Sequence, residues 1–346
     1  MSFKRFDPED FLVSAESVVG GMFSGGVTTI TEVYTSSVQT GGTSGQYYWS
    51  VFQTGSTEVS AEVQFNATYG HSQGSGSVPY DANIPGKSPT STIYGQWQNI
   101  VLGDEDSNFE FGGVTPVINE LYALSFERAR FKGGIFPGTL ELHLSSSGAG
   151  GNGITLTDNS KDVATDTFNE AGRVYQLVSG SDGSAATTGN PNQVANGMTV
   201  SGSYGLVLPD IGTIILNPAA LELAVVNGGM GLTVTRDQTN ATNQQELIDA
   251  ISDGENFTAN SQETLTSDFV FVRARNGEFN YSENPSFISG STGEVTFDAF
   301  INSPQTFITS IGMYNDNNEL LAVAKLSKPL KKDFTKEALV RVKLDF

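Results

Sequence analysis

The sequence contains no cysteine and only two histidines. The absence of cysteine excludes a disulfide scaffold, a thiol nucleophile and cysteine-ligated zinc. A histidine-dependent metal site or a Ser-His-Asp triad would have to use His71 or His143. Neither has a nucleophile and an orienting group nearby in the sequence, so we interpret His143 as a strand residue and His71 as a turn residue. We predict no catalytic residues, no metal and no cofactor, and a protein that is not an enzyme.

Charge is also scarce, at 16% of residues, and acidic residues outnumber basic ones 38 to 18, which gives a net charge of −20. Binding to nucleic-acid backbones depends on lysine and arginine, so this composition argues against a nucleic-acid partner. No stretch approaches the ~18 continuous apolar residues of a membrane span. Asp7, Glu9 and Asp10 stand where the apolar part of a signal peptide should begin, so we expect neither membrane insertion nor secretion by that route.

Glycine, serine, threonine and asparagine are abundant, and apolar residues alternate with polar ones along much of the chain, as in half-buried strands. This pattern predicts strands at 27–38, 46–53, 62–69, 92–101, 121–131 and 172–178, and a hairpin at 138–157. One helix is predicted near 243–253, because Leu247, Ile248 and Ile251 form an apolar stripe that ends at Gly254. The predicted fold class is all-β, with two or more β-sandwich or barrel-like domains and this one short helix.

The chain of 346 residues is long enough for two or three domains. A low-complexity stretch at 181–202 is the predicted linker or long loop. It separates a β-rich domain at 27–180 from a β-rich C-terminal domain at 203–346, in which strands at 306–346 act as an anchor. Residues 1–26 form an N-terminal arm, which either lies on a neighbouring subunit or forms an ordinary edge strand.

The C-terminal segment has the clearest strand pattern. We predict a strand at 306–314, a turn at 315–318, a second strand at 319–326 that stops at 327–329, and a last strand at 338–346. The residues of the last strand that share its apolar face are Ala338, Val340, Val342, Leu344 and Phe346. Because Phe346 belongs to this face, we expect the C-terminus to be packed and not frayed.

The same segment reverses the charge of the chain. Residues 325–346 hold seven basic and three acidic residues, a local net charge of +4, which leaves −24 for the remainder. The basic residues form either a solvated face or a docking surface for an acidic neighbour, including another copy of this chain. The predicted assembly interface consists of Lys325, Lys328, Lys331, Lys332, Lys336, Arg341, Lys343 and Phe346.

Three other sites stay open. Two groups of acidic residues, one at 104–106 and one made of Asp158, Asp162 and Asp166, supply oxygen ligands but lack the spacing of a calcium loop, and we interpret them as solvated turns. The many carboxylates leave a glycan hydrolase open. The loops at 70–89 and 145–153 are candidates for binding a receptor or glycan.

Four short segments resemble phage proteins. The segment 307–330, with ITSIGMYN at 308–315 leading to LLAVAKLSKP at 320–329, resembles a segment that recurs in tail and baseplate proteins of contractile-tailed bacteriophages. Together with FKRFDPED at 3–10, SPTSTIYGQ at 88–96 and NPSFISG at 284–290, it resembles virion structural proteins of T-even-like, cyanophage-type marine myoviruses.

The resemblance implies a virion subunit that is assembled in the host cytoplasm, with other virion proteins and copies of itself as partners. Its expected station is the baseplate or tail, with the neck or head as the alternative. A receptor- or glycan-binding adhesin is the alternative from another class. The family brings no catalytic residues to carry over to this chain.

Overall fold

In this computed structural model the described residues are 4–21, 32–35, 48–52, 59, 62–74, 89–104, 106–146, 152–186, 197–234, 243–254 and 256–345. Strands account for 46% of the structure and helices for 18%, so the all-β prediction is confirmed. The described strands are β1 (Phe11–Gly21), β2 (Glu32–Thr35), β3 (Tyr48–Phe52), β4 (Val63–His71), β5 (Phe109–Phe111), β6 (Val114–Ile118), β7 (Glu120–Phe126), β8 (Gly134–Ile135), β9 (Glu141–Ser146), β10 (Asn152–Asp158), β11 (Thr167–Asn169), β12 (Gly172–Ser181), β13 (Ser184–Ala185), β14 (Gly205–Leu208), β15 (Thr213–Leu216), β16 (Phe257–Thr258), β17 (Asn260–Ala274), β18 (Gln305–Tyr314), β19 (Leu320–Asp333) and β20 (Ala338–Asp345).

The described α-helices are α1 (Pro89–Leu102), α2 (Pro218–Glu222), α3 (Asn243–Gly254) and α4 (Asp298–Asn302). Helix α3 confirms the helix predicted near 243–253, whereas helices α1 and α4 were not predicted. In the described ranges, no helix combines the length and apolar character that crossing a membrane requires.

The chain forms two compact units. The terminal unit comprises Met1–Ser17 and Thr264–Phe346, and the central unit comprises Val18–Glu263. The predicted linker at 181–202 falls within the central unit, and its residues 187–196 lie outside the described part of the chain. A domain division at this linker stays a prediction.

The central unit is built on one curled antiparallel sheet. Its strands follow the order β16-β9-β10-β12-β14-β15-β7-β4-β3-β2, with β11 and β13 paired to β12. The strands predicted at 62–69 and 172–178 and the hairpin at 138–157 are confirmed, and β3 confirms the described part of the strand predicted at 46–53. The strand predicted at 121–131 ends at Phe126, and a 3-10 turn follows at Arg128–Arg130. Of the strand predicted at 27–38, the structure describes only β2.

Both faces of this sheet are covered at its centre. Strand β15 is buried at every residue. Ile214 and Leu216 face one apolar cluster, which includes Leu247 of helix α3. Ile215 between them faces a second cluster, which includes Tyr94 of helix α1. A strand buried on both faces reads as a continuous apolar run, as this one does.

The strand predicted at 92–101 is wrong, because this segment lies in helix α1. Its fully buried residues recur at helical spacing and not at alternate positions: Thr90, Tyr94, Gln98 and Val101. Pro89 opens the helix, and Gly103 follows its end with a φ of 72°, a left-handed conformation that favours glycine. These two residues are the sequence signal that identifies the helix.

Candidate assembly surface

The terminal unit contains the predicted C-terminal strand. In its sheet β17 lies between β1 and β20, so the N-terminal arm contributes an edge strand. Val342 lies opposite Val270, and Ala338 opposite Ala274, and all four side chains are buried. Leu339, on the opposite face, is exposed, so the predicted alternation is confirmed for β20. Phe346, which we expect to be packed, lies outside the described residues.

The terminal unit has little apolar core. Among the described residues, 46 apolar side chains are buried, and only the four named above belong to this unit. Nineteen large apolar side chains are exposed, and thirteen of them belong to this unit. The thirteen are Phe11, Leu12, Tyr281, Phe297, Ile301, Phe307, Tyr314, Leu320, Leu321, Val323, Leu330, Phe334 and Leu339. Exposed apolar residues in such number are typical of a protein interaction surface.

Strands β18 and β19 form a two-stranded antiparallel ribbon. Asn315 closes the predicted turn at its tip, where its side-chain oxygen accepts hydrogen bonds from the backbone N–H groups of Asn317 and Glu319. The predicted stop at 327–329 is wrong, because β19 continues to Asp333. The register shifts at this point. Between the pairs Ile308–Leu330 and Ser310–Lys325, β19 has four residues, 326–329, whereas β18 has one, Thr309. Proline is tolerated in a strand at such an irregularity, because its missing N–H is not needed there.

One face of the ribbon is open near its tip. Leu320 is 53% exposed, and it lies on the same face as Gly312 and Tyr314. Leu321, which is 67% exposed, is the extra residue at the irregularity between the pairs Met313–Ala322 and Tyr314–Leu320. Val323 and Tyr314 are exposed as well. A free two-stranded ribbon in water is at best marginally stable, so this one has apolar area available for a partner.

Lys332 holds the base of the ribbon and is fully buried. Its ammonium donates hydrogen bonds to the carbonyl oxygens of Asn276 and Asp333, both at 3.0 Å, and to Oδ1 of Asn280 at 2.9 Å. On the paired strand, the Thr306 hydroxyl donates to the carbonyl oxygen of Phe279. The segment 276–280 is therefore fastened to both strands of the ribbon. Lys332 is not on the surface where the sequence prediction placed it.

The other predicted lysines and the arginine are exposed. Lys325, Lys328 and Lys331 follow one another along β19, and Lys331 Nζ lies 3.8 Å from Asp333 Oδ2. Lys336 lies in the turn between β19 and β20. Arg341 and Lys343 share the exposed face of β20. The structure thus places three of the predicted interface lysines on the ribbon and two basic residues on the neighbouring sheet of the same unit.

Two carboxylates near these basic residues stay ionised well into the acid range. The hydroxyl of Thr335 donates to Asp333 and lowers the pKa of that carboxyl group. Arg273 donates to Glu337 at 2.9 Å, and this hydrogen bond lowers the pKa of Glu337. Both carboxylates are charged at neutral pH, so they offset part of the positive charge of the segment that follows the ribbon.

A second exposed apolar group was missed by the sequence analysis. The rings of Tyr281, Phe287, Phe300 and Phe297, in this order, form a chain of contacts with successive centroid separations of 5.7, 5.3 and 5.9 Å. Tyr281 and Phe297 are exposed. The signal available in the sequence is the spacing of three residues between Phe297 and Phe300 at the start of helix α4, which places two rings side by side.

The histidines take structural positions. His71 ends β4 and is nearly buried, and its Nδ1 accepts a hydrogen bond from the backbone N–H of Gln73. His143 lies in β9, as predicted from the sequence, with Nδ1 2.9 Å from the hydroxyl oxygen of Thr155 on β10.

The acidic turns bind backbone and side-chain donors of the chain itself. Asp158 is fully buried, so its interpretation as part of a solvated turn is wrong, and it accepts hydrogen bonds from the N–H groups of Gly138 and Ser160. Asp104 accepts from the N–H of Asp106, which lowers the pKa of Asp104, and the hydroxyl of Ser107 lowers it further. Among the described residues, no group of three or more histidines, aspartates and glutamates is arranged to hold a metal ion.

Most of the two candidate receptor-binding loops lies outside the described residues, at 75–88 and 147–151. The described features therefore give the terminal unit, with its ribbon, as the candidate site. Comparison with protein-family models, with curated proteins and with solved structures gives no match to this chain.

Proposed function

We propose that this chain is a structural subunit of a contractile-tailed bacteriophage virion, which acts by protein–protein assembly in the baseplate or tail. The central unit supplies a rigid scaffold, and the terminal unit binds neighbouring virion proteins. The neck or head is the alternative station. The proposal combines the resemblance of four sequence segments with the distribution of apolar residues in the structure.

The observation that carries the assembly role is the contrast between the two units. Among described residues, the central unit holds 42 of the 46 buried apolar side chains, whereas the terminal unit holds thirteen of the nineteen large exposed ones. When a partner covers such exposed apolar area, its removal from water stabilises the complex by about 25 cal/mol per Å². The terminal unit thus has the composition of an interface and the central unit that of a folded core.

The test replaces exposed apolar residues on the ribbon without touching a buried one. A phage that lacks the gene is complemented with a chain carrying Leu321→Glu and Val323→Glu, and purified particles are analysed by mass spectrometry. We expect this chain to be missing from particles, because two carboxylates would have to be desolvated in the interface. The control is Val200→Glu, which changes an apolar residue of the central unit that is also more than half exposed.

The unmodified chain decides the virion role, and it should copurify with particles at constant stoichiometry. Its absence from purified particles refutes that role. If the ribbon variant is incorporated into particles to the same extent as the Val200→Glu control, the terminal unit is not the binding surface. Circular dichroism and thermal unfolding of both purified variants establish that each is folded before it is scored.

A further inference from the structure

The ribbon is the part of the terminal unit that most needs a partner. It consists of two strands only, and the face that carries Tyr314, Leu320 and Val323 is open. Its second strand also carries the exposed lysines Lys325, Lys328 and Lys331. A matching surface would therefore present apolar groups within an acidic surrounding.

Charge is divided unevenly between the two units. The central unit has seven basic and 24 acidic residues, a net charge of −17. The terminal unit has eleven basic and fourteen acidic residues, a net charge of −3. The ribbon at 305–333 has four lysines and three acidic residues, a net charge of +1, and its exposed lysines lie on β19 away from the acidic tip. Every copy of the chain therefore presents a row of exposed lysines on the ribbon and a strongly acidic central unit. Oppositely charged surfaces steer association and suppress wrong pairings.

We propose that the ribbon of one copy docks on the central unit of a second copy, and this inference rests on the assembly function proposed above. Pairing of two ribbons with each other would bring three exposed lysines of each copy together, which is unfavourable. Docking on the central unit brings opposite charges together instead. The contact is then heterologous, since each copy contributes two different surfaces, and it continues from copy to copy until a ring closes or a filament forms.

The first experiment measures the mass of the purified full-length chain by light scattering at about 50 mM and about 500 mM salt, where charges are screened over about 14 Å and about 4 Å respectively. We expect oligomers at low salt and a shift towards monomer at high salt. Lys325→Glu with Lys328→Glu should weaken self-association by about tenfold or more. The control, Lys161→Glu with Arg275→Glu, changes net charge equally at exposed residues outside the ribbon and outside the predicted interface, and it should still assemble.

The second experiment identifies the direction of the contact. A labelled chain with Leu321→Ser and Val323→Ser has a defective ribbon and an intact central unit. In a heterologous contact it fails to bind itself but is bound by the unmodified chain, which still donates a ribbon. If the unmodified chain does not bind it, the contact joins two ribbons and the proposal is wrong.

The outcomes separate this inference from the proposed function. If the chain stays monomeric at both salt concentrations but is found in particles, self-docking is refuted and the virion role stands. The ribbon then binds a different virion protein. A chain that assembles as expected but is absent from particles supports self-docking and refutes the virion role. Equal loss of assembly in the Lys325→Glu, Lys328→Glu variant and its control also overturns docking through the ribbon.

Discussion

Replacing Lys332 by methionine should loosen the base of the ribbon. The change removes three hydrogen bonds to Asn276, Asn280 and Asp333 and leaves Oδ1 of the buried Asn280 without its charged donor. Hydrogen bonds from a charged group each contribute about 1.5–3 kcal/mol, but burying the ammonium costs several kcal/mol in return. We therefore expect a net loss of about 2 kcal/mol, which corresponds to about 30-fold in the equilibrium for local opening.

Amide hydrogen exchange, followed by mass spectrometry, measures this opening directly. Fluorescence is unsuitable, because both tryptophans, Trp49 and Trp97, belong to the central unit. Peptides that cover 276–280, 305–308 and 330–333 should exchange about 30-fold faster in Lys332→Met.

Lys331→Met is the matched control, since Lys331 is the exposed neighbour whose ion pair with Asp333 is long and solvated. The control should change exchange by about threefold or less. Equal exchange in both variants would show that the buried ammonium does not hold the ribbon to the segment 276–280.

Two further predictions concern the contact of helix α1 with strand β4. A Cβ on Gly70 would lie 2.9 Å from the backbone nitrogen of Tyr94, whereas one on Gly95 would meet nothing within 4 Å. Gly70→Ala should therefore destabilise the central unit by about 1–3 kcal/mol, and Gly95→Ala should stabilise it by about 0.5–1 kcal/mol. Urea unfolding followed by tryptophan fluorescence measures both, and effects of the same sign would contradict this packing. The hydroxyl of Tyr94 donates to the carbonyl oxygen of Ile118, and burial raises the pKa of Tyr94 to about 12. The buried, protonated hydroxyl of Tyr94 contributes its full stabilisation below about pH 10, where Tyr94 is protonated in the unfolded chain as well. Between about pH 10 and about pH 12 this contribution to the free energy of unfolding is lost, by up to about 1.4 kcal/mol per pH unit. The stability gap between the unmodified chain and Tyr94→Phe should narrow over this range, and a constant gap would refute the assignment.

Period-two patterns predicted strand β20 correctly, because only one of its faces is buried. Val342 and Ala338 pack against β17, while Leu339 on the other face is exposed, so the polar and apolar residues alternate in the sequence as they do in space. Helix α1 was misread because its buried positions include Thr90 and Gln98, so its inner face does not stand out by hydropathy. Pro89 before it and Gly103 after it carried the correct information.

The burial of Lys332 could not be predicted from the sequence. Lys331 and Lys332 are adjacent and chemically identical, and only the pairing of Lys332 with Thr306 places it on the inner side of the ribbon. Its oxygen partners Asn276 and Asn280 come from a segment more than fifty residues away along the chain. Contacts at that separation leave no periodic pattern, so the sequence showed only a run of basic residues.

The ribbon combines an open face with a protected edge on β19, and this combination favours specific docking over aggregation. Exposed strand edges are ready templates for pairing with other chains, and lysine, proline and irregular register are the usual means of preventing it. Strand β19 has all three, in Lys325, Lys328 and Lys331, in Pro329, and in the register shift at 326–329. The open face carries Leu320 and Val323, and Leu321 is exposed at the adjacent irregularity, with no comparable protection. A partner is therefore expected to bind across the open face of the ribbon, through apolar contacts bordered by the lysines of β19, and not to extend β19 by backbone pairing. This is why we expect the ribbon contact to weaken with salt and to depend on the side chains at 321 and 323.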